Sequence, residues 1–273
     1  MMKMKKLLFP LLIIFTLCYN STLAQSTAKI EPYKSGETLV YEGKFNKAVF
    51  RGIPFADFNF TVQEAPNSSR YLVKSEAKSK GSLTKLLGYD FYQNLQSTVD
   101  NQKLHVLKTV KRDEQGNRVR DSEAVFDYAN RKVTFVETDP NDTARPPYRV
   151  ASPIETGTQD LISAVYSIRG FPLEVGKTFD ILVSDSGLIY KIPIRVTARE
   201  QQKSILGKVW CFRVEPEVFG EKRLIEQKGS MIIWITDDAR RLPVRAQINA
   251  AIGRIEVKLK EIKFVKESPP PKS

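Results

Sequence analysis

The sequence predicts a mainly β protein: an antiparallel meander curling into a barrel or curved half-barrel, with one short helix, about residues 158–169, packed on it. Two observations carry this. Short stretches with apolar residues at every second position recur between turn-forming clusters, and one stretch departs from that rhythm to helical spacing. No unit of roughly 20 to 50 residues repeats, which argues against a propeller or a solenoid. A sandwich of two sheets is the alternative architecture.

The first 24 residues read as an export signal: Lys3, Lys5 and Lys6 precede an apolar run from Leu7 to Leu17, and Thr22-Leu23-Ala24 supplies a small-x-small cleavage pattern. The run falls short of the roughly 20 residues of a membrane-spanning helix, and no later apolar run reaches that length. Cleavage after Ala24 is expected. A lipid-modified terminus at Cys18 is disfavoured, because Leu17 is bulky where such signals place a small residue.

Residues 25–35 form a polar lead-in, and residues 36–265 are expected to fold as one mainly β domain. Thr38–Gly43 is the first strand, Phe58, Phe60 and Val62 alternate in the next, and Tyr71–Ala77 follows the Pro66–Ser69 turn. From Gly81 to Tyr92 the pattern blurs into a short helix or irregular crossover. Leu95–Val110 alternates again, Asp113–Asn117 is a turn, and Glu123–Asp127 and Lys132–Glu137 flank Tyr128–Arg131 as a hairpin. Residues 139–153 are a proline-rich loop.

The helix comes next: Thr156 or Thr158 can cap it, Asp160 puts negative charge in its first turn, and Leu161, Val165 and Ile168 form a stripe with Ile162 beside it. Strands resume at Thr178–Val183 and Leu188–Thr197, where Pro193 calls for an edge or a bulge because it cannot donate to a ladder. After Val209–Val214 come the apolar run Met231–Thr236, the Asp237-Asp238 turn, Arg245–Ala251 and the cleanly alternating Arg254–Lys260. Residues 266–273 are a frayed tail.

Composition narrows the chemistry. Removing the signal takes three of the 43 basic residues, leaving 40 against 31 acidic. In an exported chain that excess points to a lysine-rich solvated surface or to acidic envelope components, and not to nucleic acid. The signal also removes Cys18, so Cys211 has no intramolecular disulfide partner and no disulfide-linked partner is expected. His105 is the single histidine, which excludes a histidine-rich metal site, and no Gly-x-Ser-x-Gly elbow accompanies it. It reads as an ordinary strand residue. Cys211, between Trp210 and Phe212, reads as a buried thiol. Phosphate-loop, paired Cys-x-x-Cys and calcium-loop spacings do not occur, so neither a cofactor nor a metal is expected.

Two candidate sites remain. Ile232 and Trp234 face one side of a strand whose other side carries Met231, Ile233 and Ile235. If the sheet curls, one of those faces can line a cavity, and Ile232, Trp234, Tyr166 and Trp210 are the candidate contacts for a lipid or another amphiphilic envelope component. Packed core on both sides is the competing reading. The other candidate is acidic: Asp160, Asp237 and Asp238 as carboxylates of a glycan- or lipid-acting hydrolase. Adjacent aspartates equally serve as turn residues.

Three segments carry a family resemblance: Gly36-Glu-Thr-Leu-Val-Tyr41; Asp160–Arg169 followed by Pro172–Gly176; and Trp234-Ile-Thr-Asp237-Asp238 with Arg241-Leu-Pro243-Val244. In this order they resemble the bacterial exported family known as domain of unknown function 3108. The resemblance implies an envelope location and a mostly β fold, and no catalytic residues. The Trp234-to-Pro243 hairpin alone is similar to one in periplasmic lipoprotein carriers. Together these readings favour a non-enzymatic envelope protein that binds an apolar or amphiphilic ligand or an envelope partner. The alternatives are the carboxylate hydrolase and a structural accessory without ligand.

Overall fold

The computed structural model describes residues 30–48, 50–66, 68–81 and 90–265. The expected export signal, the first part of the lead-in, most of the 81–92 crossover and the tail from 266 lie outside the described residues. Among the described residues the chain forms fifteen strands in one sheet, one short helix and one 3₁₀ turn. The first half contributes β1 (Glu37–Lys47), β2 (Phe50–Glu64), β3 (Arg70–Ser79) and β4 (Phe91–Asp100). It continues with β5 (Val106–Gln115), β6 (Arg118–Asp127), β7 (Lys132–Thr138) and β8 (Tyr148–Pro153). Then come the two-residue β9 (Gln159–Asp160), helix α1 (Leu161–Ser167) and the 3₁₀ turn Ile168–Gly170. The second half is β10 (Thr178–Asp185), β11 (Leu188–Ser204), β12 (Gly207–Pro216), β13 (Gly229–Thr236), β14 (Pro243–Ala250) and β15 (Gly253–Phe264).

The sheet is built from both chain ends inward. β1 pairs antiparallel with β15 at the centre, β2 to β8 extend to one side in order, and β14 back to β9 extend to the other. Each neighbouring pair is antiparallel except β9–β10, which is parallel and joins only Gln159 and Asp160 to Val183 and Ser184. The edges β8 and β9 are not hydrogen-bonded to each other, so the curled sheet keeps a seam and is not a closed barrel. At one end of that seam the β10–β11 turn fills the gap. Ser186 and Gly187 both have positive φ, 51° and 79°, the backbone of a type I′ hairpin. A Cβ added to Gly187 would lie 2.7 Å from Phe135 Cβ on β7 and 2.8 Å from Val150 Cβ on β8.

Helix α1 lies within the curl. Asp160, held extended by its pairing with β10 (φ −92°, ψ −179°), is the N-cap and accepts from Ser163 N–H at 2.8 Å. The cap is therefore neither Thr156 nor Thr158, and the helix begins at Leu161, later than its sequence suggests. Thr158 instead closes a turn, its Oγ1 donating to Glu155 O at 2.8 Å. The buried surface also differs from the expected stripe. Val165 is exposed, whereas Ile162 and Tyr166 pack with Val62, Val73, Leu95 and Val99 of the first half. Ala164 and Ile168 pack with Ile181, Ile192, Ile194 and Phe212 of the second half. A sheet wrapped around both sides of a helix buries a wider arc than a flat sheet would.

Three further expectations meet the structure here. Leu95–Val110 is two strands, not one: Asp100 Oδ1 accepts from Gln102 and Lys103 N–H at 3.0 and 2.7 Å, and Leu104 takes φ 56°, turning β4 into β5. Phe91 and Tyr92, assigned by sequence to a crossover, open β4. Pro193 lies inside β11 between β10 and β12, not on the expected edge, and the bulge in this strand falls at Val196–Ala198; Pro193 O accepts from Glu217 N–H at 2.9 Å just past the last registered pair, Ile194–Pro216. The missing N–H thus falls at the end of the β11–β12 ladder.

β13 is packed on both faces. Met231, Ile233 and Ile235 join the cluster around Ala164 and Ile168, while Ile232 and Trp234 join Leu39, Tyr41, Leu242 and Leu259. The turn after it is held as aspartates hold turns: Asp238 accepts from Thr236 Oγ1 at 2.8 Å and Arg240 N–H at 3.0 Å, and Leu242 N–H donates to Thr236 Oγ1 at 2.9 Å.

Candidate functional site: a groove at the seam beside a buried ion pair

The first turn after α1 carries Arg169 inward, where it is 1% exposed. Its Nη1 and Nη2 donate to Glu37 Oε1 and Oε2 at 2.5 and 3.1 Å, and Nη2 also donates to Arg240 O at 3.0 Å. Glu37 opens β1 and Arg240 belongs to the turn after β13, so one guanidinium ties three distant segments. Tyr41 reinforces the junction by donating from its hydroxyl to Pro243 O at 2.9 Å. Beside it, Tyr166 stacks on Tyr33 at 5.4 Å and Tyr33 on Tyr71 at 5.6 Å, with the Arg169 guanidinium 5.5 Å from the Tyr166 ring centre. Burial raises the pKa of Tyr33, Tyr41 and Tyr166 above the ordinary tyrosine value, so these hydroxyls stay neutral.

Next to this junction, where the seam is not filled by the β10–β11 turn, lies a groove of about 1210 Å³. Its walls come from the β4–β5 turn (Lys103, Leu104, His105), the Glu155–Gly157 turn with Gln159, the segment from Gly170 to Glu174, and the outer edge of β10 (Asp180, Ile181, Leu182). Ile30, Pro32 and Arg241 complete it. Apolar wall is supplied chiefly by Leu104, Phe171, Leu173, Ile181 and Leu182. The charged lining is balanced, with Lys103, Lys191 and Arg241 against Glu155, Glu174 and Asp180. Arg241 is half-buried with φ 47°, lies 4.9 Å over the Phe212 ring, and has its pKa lowered by burial. His105 stacks on Tyr128 at 4.3 Å, and Tyr128 donates to Thr158 O at 3.1 Å.

The residues singled out by sequence fall elsewhere. Trp234 is buried, donates from Nε1 to Glu200 and carries Arg245 4.5 Å above its ring. Ile232 packs in the same cluster. Trp210 is exposed on the opposite face of its strand from Cys211, with Arg199 4.4 Å above it. Tyr166 is in the tyrosine stack. These four side chains are not brought together, and none is in the lining of the groove.

The three aspartates each have their own separate partners, uncharged donors for Asp160 and arginines for the other two. Asp160, buried at the cap of α1, accepts from Ser97 Oγ and Thr109 Oγ1 on β4 and β5. A small pocket of about 30 Å³ touches it, with Lys111, Ser122 and Ser184 in its wall. Asp237 pairs with Arg199 at 2.6 Å and Asp238 with Arg240 at 2.6 Å. For Asp238 burial pushes the pKa up, but hydrogen bonds from Arg240 and Thr236 outweigh it and the net shift is downward. A carboxylate held ionised in this way is a poor proton donor. Among the described residues no three His, Cys, Asp or Glu side chains are grouped to hold a metal ion.

Cys211 is fully buried, and burial, with Asp238, Asp237 and Glu200 nearby, pushes its thiol up to about 12. The thiolate is the reactive form. At pH 8 iodoacetamide should therefore leave folded chain 25–273 unmodified over hours and modify it fully in denaturant; rapid alkylation of the folded chain would show that the site opens.

The sequence profile of a protein family of unknown function, DUF3108, matches residues 40–260. This chain belongs to that family. The three segments in which the sequence resembles this family carry Glu37, Arg169 and the turn of the Arg240 carbonyl, although Glu37 itself precedes the matched residues. Among solved structures, a β-barrel-like protein of domain of unknown function DUF1849 from Brucella abortus aligns over 86% of this chain and 100% of its own, with 8% sequence identity and a TM-score of 0.55. At that identity it shows the fold alone. A hypothetical protein from Chlamydia trachomatis aligns over 90% of this chain and 95% of its own at 11% identity, with a TM-score of 0.34, too low to carry an argument. No curated protein matches the DUF3108 chain.

Proposed function

We propose that this DUF3108 member is an exported, non-enzymatic protein of the bacterial envelope that holds an apolar or amphiphilic ligand, or a segment of an envelope partner, in the groove at its seam. The observation that carries this reading is the groove itself: about 1210 Å³ of open space with an apolar wall and a charged rim, larger than the roughly 300–1,000 Å³ usual for small-molecule sites but of similar make-up. The basic, apolar and small-residue order of residues 1–24 supports export. Against a carboxylate hydrolase stands the pairing of Asp160, Asp237 and Asp238 with separate partners. The test is native mass spectrometry and solvent extraction of protein purified from its own envelope. A co-purifying amphiphile near one per chain is expected, together with its loss in Phe171→Asp, which puts a charge into the apolar wall. An unliganded mass and an empty extract would remove the amphiphile from this reading.

A further inference from the structure

Along the groove runs a strand edge that the fold uses only in part. β9 occupies the lane beside β10 for two residues, opposite Val183 and Ser184. Upstream of Gln159 the chain leaves that lane, because Thr158 N–H and Oγ1 both donate to Glu155 O, at 3.2 and 2.8 Å, and Gly157 takes φ 87°. Asp180–Leu182 therefore have β11 on one side and the groove on the other.

Which main-chain groups face the groove follows from Pro193. Its carbonyl accepts from Glu217 N–H at 2.9 Å, on the β12 side, so Pro193 turns its polar groups away from β10. In an antiparallel ladder its register partner Asp180 turns away likewise, and so does Leu182 two residues on. Val196 marks the opposite parity, donating to Lys177 O and accepting from Gly176 N–H. Both polar groups of Asp180 and the N–H of Leu182 thus point into the groove that both residues line, with no hydrogen-bond partner among the described residues.

We propose that the groove takes an extended polypeptide segment of a partner protein as a short strand added to the Asp180–Leu182 edge of β10. This rests on the groove being the ligand seat and names the ligand's class. An acyl chain offers nothing to the N–H of Leu182 or the carbonyl of Asp180, whereas an extended peptide presents donors and acceptors to one side at every second residue. Its alternate side chains would meet Phe171 and Leu173. With three charges of each sign in the lining, the segment needs no net charge.

The test uses chain 25–273 and a library of random ten-residue peptides, with selected peptides titrated by fluorescence anisotropy. Micromolar binders are expected, and Leu182→Pro, which removes an outward N–H and leaves the β11 ladder intact, should weaken them at least tenfold without changing the melting temperature. N-methylation of the bound peptide supplies a readout that needs no variant: one alternating set of methylated residues should abolish binding and the other should leave it. Absence of binders, or binders indifferent to both Leu182→Pro and the methylation frame, overturns the proposal. So does binding that emerges only after residues 25–29 are deleted, since the lane would then belong to this chain itself. An amphiphile recovered from the envelope and unaffected by Leu182→Pro, with no peptide binder, would leave the ligand-binding reading standing and this proposal fallen.

Discussion

Arg169→Met should cost about 3–5 kcal/mol of unfolding free energy, because it leaves the Glu37 carboxylate buried with no opposite charge. At about 2–4 °C per kcal/mol for a domain of this size, the melting temperature should fall by about 10 °C or more. Glu37→Gln should cost a comparable amount by stranding the guanidinium. The double variant Glu37→Leu/Arg169→Met should recover most of the loss, since two apolar side chains avoid the desolvation that a lone charge suffers. Recovery should stay incomplete, as the Arg240 carbonyl loses its donor in every Arg169 variant. Urea denaturation of the four proteins measures all of this. Single variants within about 1 kcal/mol of wild type would mean that water reaches the pair.

Gly187→Val should cost about 2–5 kcal/mol, the sum of a left-handed backbone that a β-branched residue resists and a side chain driven against Phe135 and Val150. Gly116→Ala is the internal control. Gly116 lies in the β5–β6 turn with φ 55° and open space where its Cβ would go, so it carries the backbone strain alone. The excess loss in Gly187→Ala over Gly116→Ala therefore reports the contact across the seam. Equal losses in the two alanine variants would show that the edges of the sheet are not pressed together there.

Much of this architecture was legible in the sequence, for local reasons. Strand alternation depends only on neighbours, so β11 and β15 announce themselves, and Tyr128–Arg131 marks the turn between β6 and β7. The helix was legible in place but not in its cap, because the choice of Asp160 over Thr158 is made by the pairing of β9 with β10, a tertiary event. The Glu37–Arg169 pair spans 132 residues and leaves no trace in composition. Either residue alone reads as one more surface charge. The groove was illegible for the same reason: Leu104, Gln159, Phe171 and Leu182 come from four segments that share no pattern and meet only because the sheet curls. One signal was available. Asp100-Asn101 is a turn dipeptide, and reading it would have split Leu95–Val110 and moved His105 off a strand and onto the groove's rim.

The pairing of β1 with β15 has a bearing on how the chain reaches this state. Apart from that one ladder, each strand's neighbours in the sheet are its neighbours in the sequence, so the two halves can zip up hairpin by hairpin with little loop closure. Joining the halves is different. It brings together the first and last strands of the domain, and the Arg169 contact to Glu37 and the Arg240 carbonyl falls at that weld. A chain emerging amino terminus first must hold β1 unpaired on one side until its final strand arrives, which makes the weld the slow, last-formed contact and leaves the edge of β1 exposed in the meantime.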